Sequence, residues 1–214
     1  MIADLLDRAR ALDAGGGRAL LGIVCVPGAG KSTLAAHLVA GLGPTAAQVP
    51  MDGFHLADAA LDRLGLRDRK GAPETFDGWG YLALLRRLAT ETDHPVYAPD
   101  FDRDLEQPLA GALAVDPGVR LVVTEGNYLL LPDDPWPRVR AALTEVWYVE
   151  TDEARRQRRL LARHVRFGKA PAAAAAWIAA VDEPNARLVA RGRSAADLVV
   201  DLDALDLPPP AGSG

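Results

Sequence analysis

Cysteine is nearly absent from this chain of 214 residues; Cys25 stands alone. A lone cysteine closes no internal disulfide, so stability must come from a packed core. The chain suits a reducing compartment, and a cytoplasmic location is expected. Lysine is almost as scarce: of 24 basic residues, only those at 31, 70 and 169 are lysine. Acidic residues outnumber basic ones, 29 to 24, for a net charge of −5, and this does not favour a nucleic-acid partner. No apolar run is long enough to span a membrane, and residues 1–10 read as a short amphipathic helix rather than a signal peptide, so no membrane partner is expected. Internal repeats, linkers and a cluster of metal ligands are also missing. What remains, 49% hydrophobic and 25% charged, is ordinary for a globular protein, and the length suits one α/β domain.

Against that plain background one stretch stands out. Residues 25–33 read Cys-Val-Pro-Gly-Ala-Gly-Lys-Ser-Thr, directly after the apolar run Ala-Leu-Leu-Gly-Ile-Val. A strand running into a glycine-rich turn and then a helix is a phosphate-binding loop. Gly28 and Gly30 let the backbone curl so that successive N–H groups of Pro27–Gly28–Ala29–Gly30 and the residues that follow face one anion. Lys31 adds a point charge for the β- and γ-phosphates, and Ser32, with Thr33 behind it, opens the helix and offers a hydroxyl to Mg²⁺. The pattern G-x-x-x-x-G-K-[ST] is met everywhere except its first position, where Cys25 replaces glycine and reads as a small apolar filler.

Strand-like runs near 20–26, 46–51, 95–98, 119–124, 145–149 and 197–201 alternate with helical stretches near 2–13, 31–42, 56–63, 78–91, 136–142, 152–167, 172–181 and 184–191. Such alternation predicts a parallel sheet with helices on both faces, its ligand edge at the strand C-termini. The phosphate loop, Asp52 and Glu125 each follow a strand and should converge there. A carboxylate such as Asp52 can orient an acceptor hydroxyl and take its proton. The alternative, a cap for the helix near Leu56, has poor spacing. An acid at the mouth of the buried run Leu121-Val-Val-Thr needs a cation or donors, which fits Glu125 as a metal ligand. The expected boundaries are one domain over 1–206 and a disordered tail over 207–214.

The segment Asp52-Gly-Phe-His55 behind a Pro-Gly-Ala-Gly-Lys-Ser-Thr loop resembles the P-loop kinases of the uridine kinase, pantothenate kinase and phosphoribulokinase group. Further stretches resemble this family in order: Arg69-Lys-Gly-Ala-Pro-Glu-Thr-Phe-Asp77, Val122-Val-Thr-Glu-Gly-Asn-Tyr-Leu129, Arg159-Leu-Leu-Ala-Arg-His-Val-Arg-Phe-Gly168 and Glu183-Pro-Asn-Ala-Arg187. The resemblance implies a P-loop three-layer fold with an arginine-rich lid. It also implies ATP and Mg²⁺ as cofactors, a small-molecule hydroxyl substrate, and Asp52 as general base. Mg²⁺ would sit with Ser32, Asp52 and Glu125. Dimers are common among related kinases, so a homodimer is compatible.

On the acceptor side the resemblance implies substrate binding by Asp77, although Asp77 also suits an N-cap for the helix near Gly78. His55 can bond substrate, steady Asp52 or simply pack. Arg103 can bind substrate or pair with Asp100 or Asp104. Tyr128 follows Glu125 and can line the same pocket. The Tyr97–Arg103 stretch lacks the histidine that uridine kinases carry there, which puts pyrimidine recognition in doubt. In the arginine-rich stretch, Arg159, Arg163 and Arg166 fall on one helical face, suited to meet phosphate charge, with Arg163 and Arg166 the leading candidates. Arg155, Arg156 and Arg158 read as a solvated or ion-paired face. Asn185 can touch the nucleotide base or substrate, or cap a turn. The competing classes are weaker: a GTPase switch needs a guanine-reading Asn-Lys-x-Asp segment that is missing here, and a non-catalytic nucleotide sensor would not need Asp52, Glu125 and the arginine face.

Overall fold

The computed structural model describes residues 1–15, 17–205 and 207. The expected tail over 207–214 lies, apart from Leu207, outside them; Leu207 itself packs against the core. The chain runs through α1 (Ile2–Ala11), β1 (Ala19–Val24), α2 (Lys31–Leu42), β2 (Ala46–Pro50), α3 (Asp58–Leu64) and α4 (Gly78–Thr90). A β-hairpin follows, β3 (Val96–Asp102) and β4 (Gln107–Val115), and then β5 (Leu121–Glu125), α5 (Trp136–Ala142) and β6 (Glu145–Glu150). The last third holds α6 (Glu153–Arg166), α7 (Pro171–Trp177), α8 (Glu183–Ala190) and β7 (Leu198–Asp201).

Five strands pair in parallel in the order β2-β5-β1-β6-β7. The central strands β1 and β5 are buried along their whole length, as expected of strands covered on both faces. Alternate side chains feed two cores. Leu20 and Val24 join Tyr81, Leu82, Leu85 and Leu88 of α4 and Trp136 and Val139 of α5. Ala19, Leu21 and Ile23 join Leu34, Ala35 and Leu38 of α2 and Ala9 of α1.

Two expectations need correction. The run at 95–98 does not enter the parallel sheet: β3 pairs antiparallel with β4 in a separate two-stranded sheet. The strand β4 was not expected at all. Its residues 109–112 are exposed, so it shows no buried alternation that a sequence pattern could reveal. The helix expected over 172–181 also ends early, and Ile178–Asp182 forms a wider π-helical turn before α8. Pro184 has no N–H to continue the ladder at that junction.

A buried arginine ties this architecture together away from the ligand edge. Arg18, 6% exposed, donates to the carbonyls of Leu88, Glu91, Asp116 and Val119 at 2.9–3.1 Å. It thereby closes the end of α4 and the turn before β5 onto the start of β1. Charge-assisted hydrogen bonds contribute about 1.5–3 kcal/mol each, and their loss strands buried carbonyls. Arg18→Met is expected to lower unfolding stability by about 3 kcal/mol in urea denaturation; a change below about 1 kcal/mol would show that water replaces the guanidinium.

Candidate active site

The phosphate loop occupies the turn between β1 and α2. Gly30 caps α2 with φ of 111°, and a Cβ there would also lie 2.5 Å from Leu202 Cδ2, so only glycine fits. Cys25 needs no such freedom. Among the described residues the only non-glycine with positive φ is Glu106, and Cys25 is buried, its thiol pushed up by burial. The loop therefore tolerates the departure from the glycine pattern.

Sheet register brings the acids to the loop. Glu125 pairs with Ile23 of β1 on one side and Pro50 of β2 on the other, so the turn carrying Asp52 lies beside it. Lys31, 7% exposed, places Nζ 3.6 Å from Glu125 Oε2, while Ser32 Oγ donates to Glu125 Oε1 at 2.7 Å. Glu125 Oε2 is buried and accepts no hydrogen bond. Burial raises the Glu125 carboxyl, with Lys31 opposing and the charge of Asp52 adding. Burial opposes the Lys31 charge most strongly, yet Glu125, Cys25 and Asp52 together outweigh it and raise the ammonium.

Asp52 sits in a short turn over Met51–Phe54. Gly53 after it lies so close to the hairpin that a Cβ would meet the Pro99 carbonyl oxygen at 2.4 Å. Asp52 caps no helix; α3 is capped by Ala57. Its Oδ2 accepts from Arg103 at 3.0 Å, which settles the Arg103 alternatives against Asp100 and Asp104. Burial alone would raise this carboxyl, but Lys31, His55, Arg103 and Arg163 hold it well below the usual range. His55 stacks between Phe76 and Phe101, with ring centroids 4.0 and 4.7 Å away, and its Nδ1 meets the Asp52 carbonyl at 2.8 Å. A donating Nδ1–H leaves Nε2 as an acceptor. Burial pushes the imidazole below its usual value, so it is neutral at pH 7.

Lys31, Asp52, His55, Phe76, Phe101 and Arg103 line one cleft of about 340 Å³ that also takes in Pro27, Asn127, Tyr128, Arg163 and Asn185. Glu125 and Ser32 do not line it and reach it through their contacts with each other and with Lys31. Gly28, Ala29 and Thr33 form the loop and first turn beside it. Tyr128 is buried, donates to the Gly71 carbonyl and packs edge-on to Phe76. Asn185 Nδ2 lies 3.5 Å from the same carbonyl, which places it on the Gly71–Tyr128 side of the cleft.

Two of the candidate residues lie outside the cleft lining. Asp77 is exposed and does not line the cleft; its Oδ1 accepts from Gly80 N at 2.7 Å as the N-cap of α4. Arg166 is exposed against the Phe167 ring and does not line the cleft, whereas Arg163 does. The arginine that the spacing missed is Arg156. Only 2% exposed, it donates to the Pro27 carbonyl at 3.1 Å and to Glu153 and Glu183. The signal was Leu160: Arg156 and Arg163 flank it at i−4 and i+3, on the buried face of α6.

No family model matches the chain. Among solved structures, a "putative fructose transport system kinase" from Silicibacter sp. TM1040 is similar with a TM-score of 0.85 and 37% identity, covering 94% of this chain and 98% of that one. "Putative uridine kinase C227.14" of Schizosaccharomyces pombe is 34% identical over 160 residues, 71% of this chain and 68% of that protein. The uncharacterized protein YggC of Escherichia coli is 32% identical over 190 residues, 86% of this chain and 78% of that one. With a phosphate loop, an Asp-Gly-Phe-His turn and a strand ending in Glu-Gly at one sheet edge, and with relatives of this likeness across most of its length, the chain belongs to the uridine kinase-like family of P-loop kinases.

Proposed function

We propose that the protein is an ATP-dependent kinase that transfers the γ-phosphoryl group to a hydroxyl of a small polar metabolite, a sugar, nucleoside or pantothenate-like alcohol. The observation that carries this reading is that Lys31 and Asp52 line the same cleft, with Arg163 facing it from α6. A phosphate group on the loop and a hydroxyl at Asp52 would then be neighbours, and in-line transfer needs mainly that positioning plus charge stabilisation.

Each residue has a role in this scheme. The loop N–H groups and Lys31 hold the β- and γ-phosphates. Arg163 donates to the transferring group from the α6 side, and the stretch from α6 into α7 acts as the lid. Asp52 accepts the hydrogen bond of the acceptor hydroxyl and then its proton. His55 Nε2 accepts from a second hydroxyl, and Arg103 steers Asp52. The low basicity of Asp52 does not oppose this. In a loose transition state the proton leaves late, and phosphate charge beside Lys31 and Arg163 weakens their hold on the carboxylate.

The donors at the loop fit Mg²⁺. Glu125 Oε2 is buried without a hydrogen-bond partner, and Ser32 Oγ lies 2.7 Å from the other oxygen. No group of three or more His, Cys, Asp or Glu suited to a metal occurs among the described residues. Magnesium is commonly held by one or two carboxylates, phosphate oxygens and water, and needs no such group. Ser32, Glu125 and Asp52 are the residues that would hold it. When bound, the ion supplies neutralisation of charge on the phosphate oxygens.

Three outcomes test the scheme. Asp52→Asn is expected to keep ATP binding and lower turnover by about 10²–10⁴-fold in a coupled assay over nucleosides, ketoses, aldoses, polyols and pantothenate. Near-normal turnover in that variant removes the base, and ATP binding without turnover of any acceptor removes the kinase. Glu125→Gln should raise the Mg²⁺ concentration needed for half-maximal rate by about tenfold or more; an unchanged requirement separates Glu125 from the metal. Because Asp52 stays ionised and His55 stays neutral in the free protein, kcat/KM should show no acid limb with its midpoint at or above pH 6.5. Such a limb would contradict both assignments.

A further inference from the structure

All three lysines of this arginine-rich chain, Lys31, Lys70 and Lys169, line the same cleft. Lys31 belongs to the phosphate loop. The other two are held in place by contacts unrelated to phosphate binding. Lys70 is mostly buried, donates to Asp58 Oδ1 at 2.7 Å and to the Glu106 carbonyl, and lies 5.5 Å from the Phe101 ring. Arg67 NH2 takes the other oxygen of Asp58 at 2.8 Å, so one carboxylate orients two cations. Lys169 sits 4.9 Å over the Trp177 ring and has no carboxylate partner among the described residues.

The charge of the cleft runs against that of the chain. Lys31, Arg67, Lys70, Arg103, Arg163 and Lys169 line it, against the carboxylates Asp52, Glu106 and Asp182. Asp52 is taken by Arg103 and Asp182 by His164 at 2.8 Å. The protein as a whole carries −5. A triphosphate accounts for Lys31 and Arg163, but not for Lys70, Arg67 and Lys169. The first two lie with Phe101 and Glu106 on the hairpin side, and Lys169 lies after α6. An ammonium at the end of a flexible stem, braced by an aromatic ring or a carboxylate, is a point-charge donor for an anionic oxygen.

We propose that Lys70 and Lys169, with Arg67 behind Lys70, form an anion subsite, and that the phosphoryl acceptor is a hydroxy compound carrying a compact anionic group, a carboxylate or a phosphate. The inference rests on the kinase reading for which end of the cleft receives the acceptor. His55 and Asp52 read hydroxyls, and the lysines read the charge at the far end of the same small molecule.

The test is titration calorimetry with the loop occupied by β,γ-methylene-ATP and Mg²⁺, so that anions cannot bind there. The probes are matched pairs, ribose 5-phosphate against ribose and glycerate against glycerol, which also separate phosphate from carboxylate. The anionic member of at least one pair should bind about tenfold or more tightly than its neutral partner. That preference should be lost in Lys70→Met and in Lys169→Met and restored in Lys70→Arg, which shows that the fold survives the change. Equal affinity within both pairs, no binding by either anion, or a preference indifferent to both lysines overturns the subsite. Phosphorylation assays on the same pairs tell the two readings apart. Anion-selective binding without phosphorylation keeps the subsite and removes the kinase, whereas phosphorylation without anion preference keeps the kinase and removes the subsite.

Discussion

A carboxylate buried at the mouth of the central sheet governs the arrangement of the site. Glu125 ends β5 with β1 and β2 on either side, so the two turns that follow those strands must accommodate its charge. Burying an ion costs several kcal/mol unless partners are fixed in place. Lys31 at 3.6 Å and Ser32 at 2.7 Å are those partners, and both belong to the first turn of α2. The phosphate loop is therefore anchored from inside by an acid whose Oε2 faces Lys31 and accepts no hydrogen bond. The geometry of the loop and the chemistry of the site share a single buried interaction.

Two carboxylates lie near Lys31, and their surroundings drive them apart. Glu125 is lifted by burial and by Asp52, while Asp52 is pulled down by Lys31, Arg103 and Arg163 despite its own burial. Opposed environments of this kind assign different tasks to the same chemical group. The depressed acid is already ionised and free to accept a hydrogen bond. In the proposed scheme the raised acid is the one that would gain most from a metal ion, whose charge would replace the solvation it has lost. Lys31 lies beside both carboxylates, so its substitution would disturb the loop and both acids together.

The sequence made most of this legible because the informative segments obey short-range rules. The loop, the fully apolar strands and the acids that follow them are read from adjacent residues, and the boundaries of α2 and α5 agree with the sequence reading to the residue. The misses have long-range causes. The strand β4 is half-exposed and built from alanine, glycine and leucine, so only its partner β3 makes it a strand. Asp77 suits both a cap and a substrate contact in sequence, and the structure shows the cap, with Asp77 outside the cleft lining. Arg156 looked like one more arginine on a charged face, because its partners Pro27 and Glu183 lie 129 and 27 residues away.

Arg156 also limits how the proposed lid can move. Its guanidinium joins the first turns of α6 to the Pro27 carbonyl and to Glu183 at the start of α8, and Leu160 one turn later is fully buried. Displacing that half of the helix would part a buried cation from two acceptors outside it, the Pro27 carbonyl and Glu183, a cost of several kcal/mol. Beyond Leu160 the helix turns exposed and basic, ending at Phe167 before Gly168, whose φ of 91° breaks the helical path. Any closure of the proposed lid is therefore confined to the segment beyond Leu160, which carries Arg163 and Lys169. The fixed half holds the loop through the Pro27 carbonyl, and in the proposed scheme the outer half is the part free to carry its cations toward bound substrates.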